Sequence, residues 1–163
     1  MIGPNGETAF SRARLLALLT PLALLGGAYV SQYGFDLYPC EMCWWQRYPH
    51  FLALGLGMAA LIRPQSRGLV VLGSLAILAS GLIGAFHAGV EYHWWVGLTA
   101  CTSTVAANAA NPLEAIMNAP LVRCDQAPWT LFGISLAGFN FLISTGAALI
   151  IFWLLGRSRG APA

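Results

Sequence analysis

The chain has 163 residues, of which 58% are hydrophobic and only 9% charged, with a mean hydropathy of +0.67. A soluble globular domain carries about 25% charged residues, so this composition argues against a water-exposed fold and for a lipid bilayer as solvent. The formal charge of +2 includes no basic cluster of the kind that binds nucleic acid.

Four apolar segments are predicted in chain order. Arg12 and Arg14 precede a stretch that begins at Leu15, read as a helix over about 15–33. This order resembles a secretion signal, but the apolar region is long and no clear small-residue cleavage site follows, so a retained signal-anchor helix is expected. A second helix is expected over about 44–62. It is strictly apolar only from Phe51, so Gln46, Arg47 and His50 lie near one end, with Arg47 just inside the membrane edge. The third and fourth are expected over about 69–88 and 131–155. Crossing a bilayer takes roughly 20 residues at 1.5 Å each, and the runs lack the alternation of a membrane strand. The expected fold is an all-α integral membrane protein: a single domain over 1–163, built as an antiparallel four-helix transmembrane bundle. Gly73, Ser74, Gly81 and Gly84 read as small packing positions between helices.

Arginine placement sets the expected orientation. Arg12, Arg14, Arg63, Arg67, Arg157 and Arg159 share one side, cytoplasmic by the positive-inside rule. Arg47 and Arg123 are the exceptions. Both termini are then cytoplasmic, and two outer loops remain, about 34–43 and 89–130. Within the second, Asn111-Pro112 opens a short amphipathic helix, Leu113 to Asn118, suited to the interface plane. Tryptophans and tyrosines crowd the outer half, as in an interfacial belt.

All four cysteines fall in or beside these outer loops: Cys40, Cys43, Cys101 and Cys124. An even number on one side suits an oxidising exterior. Cys40-Glu41-Met42-Cys43 stands at a helix N-terminus, where unpaired N–H groups stabilise a thiolate. Arg47 follows Cys43 by four residues, so the two share a helix face and the arginine's charge is expected to favour a Cys43 thiolate. Cys101 and Cys124 read either as a structural disulfide or as a second exchangeable pair on a mobile loop. The four cysteines with His87 and His93 also offer soft metal ligands. A cation at Arg47 and a lone Cys-x-x-Cys argue against that use. His87 and Glu91, four residues apart, either handle a proton or stabilise the helix end, and His50 reads as a satisfied helix histidine. No dinucleotide fingerprint or haem-attachment motif is present. A lipid-soluble quinone among the aromatics, its carbonyl facing Arg47, suits the location.

Taken together, Pro39-Cys40-Glu41-Met42-Cys43-Trp44-Trp45-Gln46-Arg47, the four-helix order and the separated Cys101 and Cys124 resemble the DsbB family of bacterial inner-membrane disulfide-bond oxidoreductases. The segments 84–91 and 121–129 carry the likeness further, and it covers about Leu15 to Trp153. Met42 departs from the leucine frequent before the family's second cysteine, and His87 and His93 align with no family histidine.

The resemblance implies a quinone-dependent thiol oxidase acting as a monomer in the bacterial inner membrane, with periplasmic cysteines. A reduced thioredoxin-like partner of the DsbA kind would attack the Cys101–Cys124 disulfide, with Cys101 forming the mixed disulfide. Electrons would then pass to Cys40–Cys43, with Cys43 engaging ubiquinone or menaquinone and Arg47 supporting the quinone. The implied catalytic set is Cys40, Cys43, Cys101 and Cys124, with no resident metal. The alternatives are a disulfide reductase resembling the vitamin K epoxide reductase group, whose motif lies near the end of a later helix, a metal-handling tetraspan protein, and a structural tetraspan protein with inert disulfides.

Overall fold

In the computed structural model the described residues are 4–99, 102–103 and 121–158. Their apolar runs form four helices: α1 (Pro4–Gly34), α2 (Glu41–Ile62), α3 (Arg67–Glu91) and α4 (Leu136–Arg157). Three of these stretches are long and apolar enough to cross a membrane: Gly6–Gly34, Arg67–Glu91 and Leu136–Arg157. The 22 residues of α2 are diluted by Gln46, Arg47, Tyr48 and His50 in its first half.

Each boundary has a local cause. α1 ends where Asp36 takes a left-handed φ of 54° and Leu37 N–H returns to Ser31 O at 3.1 Å. α3 ends where His93 takes φ 59° and Trp94 N–H reaches Gly89 O at 2.8 Å, an arrangement that satisfies the last carbonyls of a helix. α4 starts at Leu136, later than the apolar pattern suggests. Before it, Thr130–Leu131 pairs antiparallel with Ile134–Ser135 in a small hairpin that turns through Phe132 and Gly133, at φ 51° and 77°. Two positive φ values are what a two-residue hairpin turn demands. Ser135 then caps α4 by accepting from Gly138 N–H at 3.1 Å. Tyr92 fastens this hairpin to α3: its hydroxyl donates to Gly133 O and accepts from Ser135 N–H, both at 2.9 Å. A second short pairing joins Thr102–Ser103 to Leu121–Val122. The expected helix Leu113 to Asn118 lies outside the described residues.

The helices run around a ring: α1 packs on α2 and α4, and α3 packs on α2 and α4. The centre is lined by small side chains. Ala13, Ala17, Ala53, Ala60 and Ala148 are buried, whereas Leu22, Leu52, Leu72, Leu82 and Ile150 face outward. Small residues inside and large apolar residues outside are the pattern of helices that associate in lipid, where close backbone approach supplies the packing. Gly57, Gly81 and Gly84 make this approach possible. A Cβ on Gly57 would meet Leu18 Cα of α1 at 3.1 Å, and one on Gly84 would meet Ala137 O of α4 at 2.9 Å.

At one end of the bundle lie Arg14, Arg63, Arg67 and Arg157. Arg14 donates to Pro64 O at 3.3 Å, and Arg67 to Ser158 Oγ at 2.6 Å and to Leu155 O. The cysteines gather at the other end, where α2 begins and α3 finishes.

Gly84→Ala is expected to force α3 from α4 and cost about 1–3 kcal/mol, the usual penalty of overpacking. Reversible unfolding in mixed detergent micelles measures this, with Gly55→Ala, which meets nothing within 4 Å, as the neutral control.

Candidate active site

The first turn of α2 brings two sulfurs together. Cys40 is the N-cap, and its Sγ accepts from Cys43 N–H at 3.3 Å. The Cys40 thiol in turn donates to Cys43 Sγ at 3.0 Å. Cys43 is thus inside the helix rather than in the preceding loop. The hydrogen bond to Cys43, reinforced by burial, pushes the Cys40 thiol from 9.0 up to about 12.

Cys124 joins this pair. It is 6% exposed and packs with Cys40, Met42 and Val90 in one buried cluster. Thr99 Oγ1 donates to its sulfur at 3.1 Å, and Cys40 and the Met42 backbone also reach it. Burial raises the Cys124 thiol above its ordinary value. Val122 and Val90 anchor it there as apolar neighbours. The fourth cysteine, Cys101, lies outside the described residues. Its neighbour Thr102 pairs with Val122, two residues before Cys124. Next to Cys124, Arg123 and Asp125 form an exposed ion pair at 2.5 Å, and the guanidinium holds the Asp125 carboxyl below its usual range.

Arg47 is 6% exposed, and its guanidinium turns to α1. It donates to Gln32 Oε1 at 2.7 Å and Ala28 O at 3.3 Å, and lies 4.9 Å from the ring centres of both Tyr29 and Trp44. Arg47 shares a helix face with Cys43, and its buried guanidinium, with five donors, takes the acceptors that α1 provides. The two residues still line one cavity of about 240 Å³ between α1, α2 and α4, with Gln46, His50, Phe139 and Asn140. A second cavity of about 280 Å³ opens beside Asp36, His87, Glu91 and Arg123, and it too is lined by Cys43, together with Cys40. Cys43 therefore borders both spaces.

Behind the sulfurs runs a buried polar chain. His87 Nε2 lies 3.5 Å from Cys40 Sγ and 3.8 Å from Glu91 Oε1, and Nδ1 is 2.8 Å from Gln46 Nε2. Gln46 Oε1 accepts from Asn140 Nδ2 at 2.8 Å, and Asn140 Oδ1 accepts from Ser144 Oγ at 2.8 Å and pairs with His50 Nε2 at 3.0 Å. Ser80 Oγ donates to Gln46 O at 2.8 Å. His87 thus sits a full turn inside α3, not at its end. His50 is only half satisfied, because its Nδ1 is buried without a partner. His93 is exposed and lines a separate cavity together with Thr99, Cys124 and Asp125.

Asn140, Ser80 and Ser144 escaped the sequence reading. A lone amide in the otherwise apolar run of α4 was the available signal, since polar groups in such runs face a bundle interior. The sulfurs of Cys40 and Cys43 and a His87 nitrogen all lie within 4.8 Å, a spacing that a thiophilic cation could also use.

The family model for Disulfide bond formation protein DsbB matches residues 11–154. Disulfide bond formation protein B of Polaromonas sp. is 34% identical, covering 88% of this chain and 90% of its own. Disulfide bond formation protein B 2 of Pseudomonas syringae pv. syringae is 30% identical, covering 92% and 97%. No solved structure matches.

The shifted Cys40 thiol predicts a pH dependence for the reduced protein. The folded chain holds this proton to a higher pH than the unfolded one, so the associated stability is complete below about 9 and is lost as pH rises towards about 12. The unfolding free energy of the reduced protein should fall with pH across that window, and Cys40→Ala should flatten the dependence.

Proposed function

Since this chain belongs to the DsbB family of disulfide bond formation proteins, a membrane family, we propose that it is the thiol oxidase that re-oxidises a periplasmic thioredoxin-like dithiol partner of the DsbA kind and delivers the two electrons to a membrane quinone. The observation that carries this reading is the position of Cys43. It borders both the cavity beside Cys40 and Arg123 and the apolar cavity beside Arg47.

In this reading all four helices span the membrane, and the cysteine end faces the periplasm. The gathering of Arg14, Arg63, Arg67 and Arg157 at the opposite end supports that orientation. The partner's thiolate attacks the Cys101–Cys124 disulfide at Cys101. Cys124 is then released beside Cys40, where their shared burial brings the two sulfurs within reach of exchange. Attack by Cys124 on Cys40 breaks the Cys40–Cys43 bond and leaves the electron pair on Cys43.

The cavity beside Arg47 suits a quinone. Its walls are mostly apolar, and Arg47 and Gln46 bring hydrogen-bond donors to it. Ubiquinone or menaquinone, when bound, supplies a two-electron, two-proton acceptor. Arg47, held between Tyr29 and Trp44, orients a carbonyl and favours negative charge on it. Cys43 presents its sulfur from the same wall, and the flanking apolar residues exclude water.

Purified protein given reduced partner and quinone is expected to consume quinone stoichiometrically with partner thiols. Cys43→Ser should abolish turnover. Arg47→Met should raise the quinone KM by about tenfold or more, consistent with loss of a charged hydrogen bond. Undiminished turnover in Cys43→Ser would overturn the assignment.

A further inference from the structure

Two backbone carbonyls fix the hydrogens of the buried polar chain. A carbonyl only accepts. Asn140 approaches Ser80 O at 3.1 Å, so that end of its amide is the NH2 group, and its Oδ1 faces His50 and Ser144. Gln46 approaches Met42 O at 3.1 Å with its own NH2 group and receives Asn140 Nδ2–H on Oε1. The remaining hydrogen on Gln46 Nε2 points at His87 Nδ1, 2.8 Å away. Nδ1 must therefore be the bare nitrogen. A neutral imidazole then carries its proton on Nε2, which faces Cys40 Sγ at 3.5 Å. An imidazolium would set N–H against N–H at Gln46, so the ring is suited to donate a hydrogen bond while remaining neutral.

We propose that Gln46, oriented by Met42 and Asn140, locks His87 in the Nε2–H tautomer, and that His87 donates to Cys40 whenever this sulfur carries negative charge. The proposal rests on the thiol-oxidase reading for its use. In exchange, a thiolate attacks the sulfur bonded to Cys40. A new disulfide forms at the attacked sulfur, the bond to Cys40 breaks, and its electron pair stays on Cys40. Disulfides are conserved and no proton moves. With Cys43 engaged elsewhere, the thiolate would be left buried and without its usual neighbour. The Nε2–H of His87 meets it there. His87 is then a catalytic residue, touching a reacting atom, and Gln46 a positioning residue.

Among the described residues, the titratable groups around Cys40 besides His87 are Cys43 from α2, Glu91 from α3, Cys124 and Arg123 from the segment before the hairpin, and Asp36 and Tyr38 from the α1–α2 link. From α4 and its cap come only uncharged groups, Ser135 and Asn140.

Two measurements test this, and neither needs quinone or partner, so they stand apart from any failure of the oxidase assay. In the full-length reduced Cys43→Ser protein, alkylation of Cys40 is followed against pH by peptide-resolved mass spectrometry. His87→Leu should slow it about tenfold near neutral pH and move the profile up by about one unit. His87→Gln, which keeps an N–H donor near the Nε2 position, should restore most of the rate. In the otherwise unaltered protein, 15N shifts of labelled histidine should report a bare Nδ1 and a protonated Nε2 at His87, with the tautomer no longer fixed in Gln46→Leu. An unchanged alkylation profile in His87→Leu, or a protonated Nδ1 at His87, would overturn the proposal.

Discussion

The contact from Asn140 to Gln46 at 2.8 Å, beside that from Asn140 to His50 at 3.0 Å, joins α2 and α4 across the diagonal of the ring. In lipid there is no water to serve a stray amide, so each must find its partner within the protein. Here the two amides serve each other, and their remaining groups are taken by Met42 O, Ser80 O, His50, Ser144 and His87. The pair thereby sets how α2 rotates relative to α3 and α4. Since Cys40 and Cys43 are fixed to the first turn of α2, it also sets where the sulfurs stand.

From this constraint the two neighbourhoods of α2 arise. One face turns Cys40 to His87 and Cys124 in a closely packed cluster. The other turns Arg47 to α1, where Gln32, Ala28 and two aromatic rings hold it at the wall of an apolar cavity. Cys43 lies between them. A sulfur that borders both spaces needs no large motion to serve first one and then the other, as the proposed two-electron traffic between a protein thiol and a lipid-soluble acceptor requires.

Much of this was legible in the residues. The apolar runs located the helices because lipid demands about 20 apolar residues for each crossing. The spacing of Cys40 and Cys43 placed their sulfurs together because sulfurs three residues apart meet at a helix N-terminus. Other features depended on contacts between distant segments. Arg47 shares a helix face with Cys43, yet its partners lie on α1, fifteen and nineteen residues earlier. His87 read as a helix-end residue because the apolar pattern fades near position 88, while the backbone continues to Glu91. Leu131 and Ile134 looked like helix, but Gly133 at φ 77° permits a turn, and Ser135 caps α4 immediately after it. Asn140 drew no notice because one amide among apolar neighbours shows its use only when its partners arrive from two other helices.

The most direct test of the account is a double-mutant cycle on Gln46 and Asn140, read as unfolding free energy in detergent micelles. Each replacement by leucine strands buried polar groups of the other partner, so the two losses should overlap and the double variant should cost less than their sum by about 1–3 kcal/mol. Additive losses would mean that the two amides act independently, and would contradict the claim that their contact organises the bundle and its sulfurs.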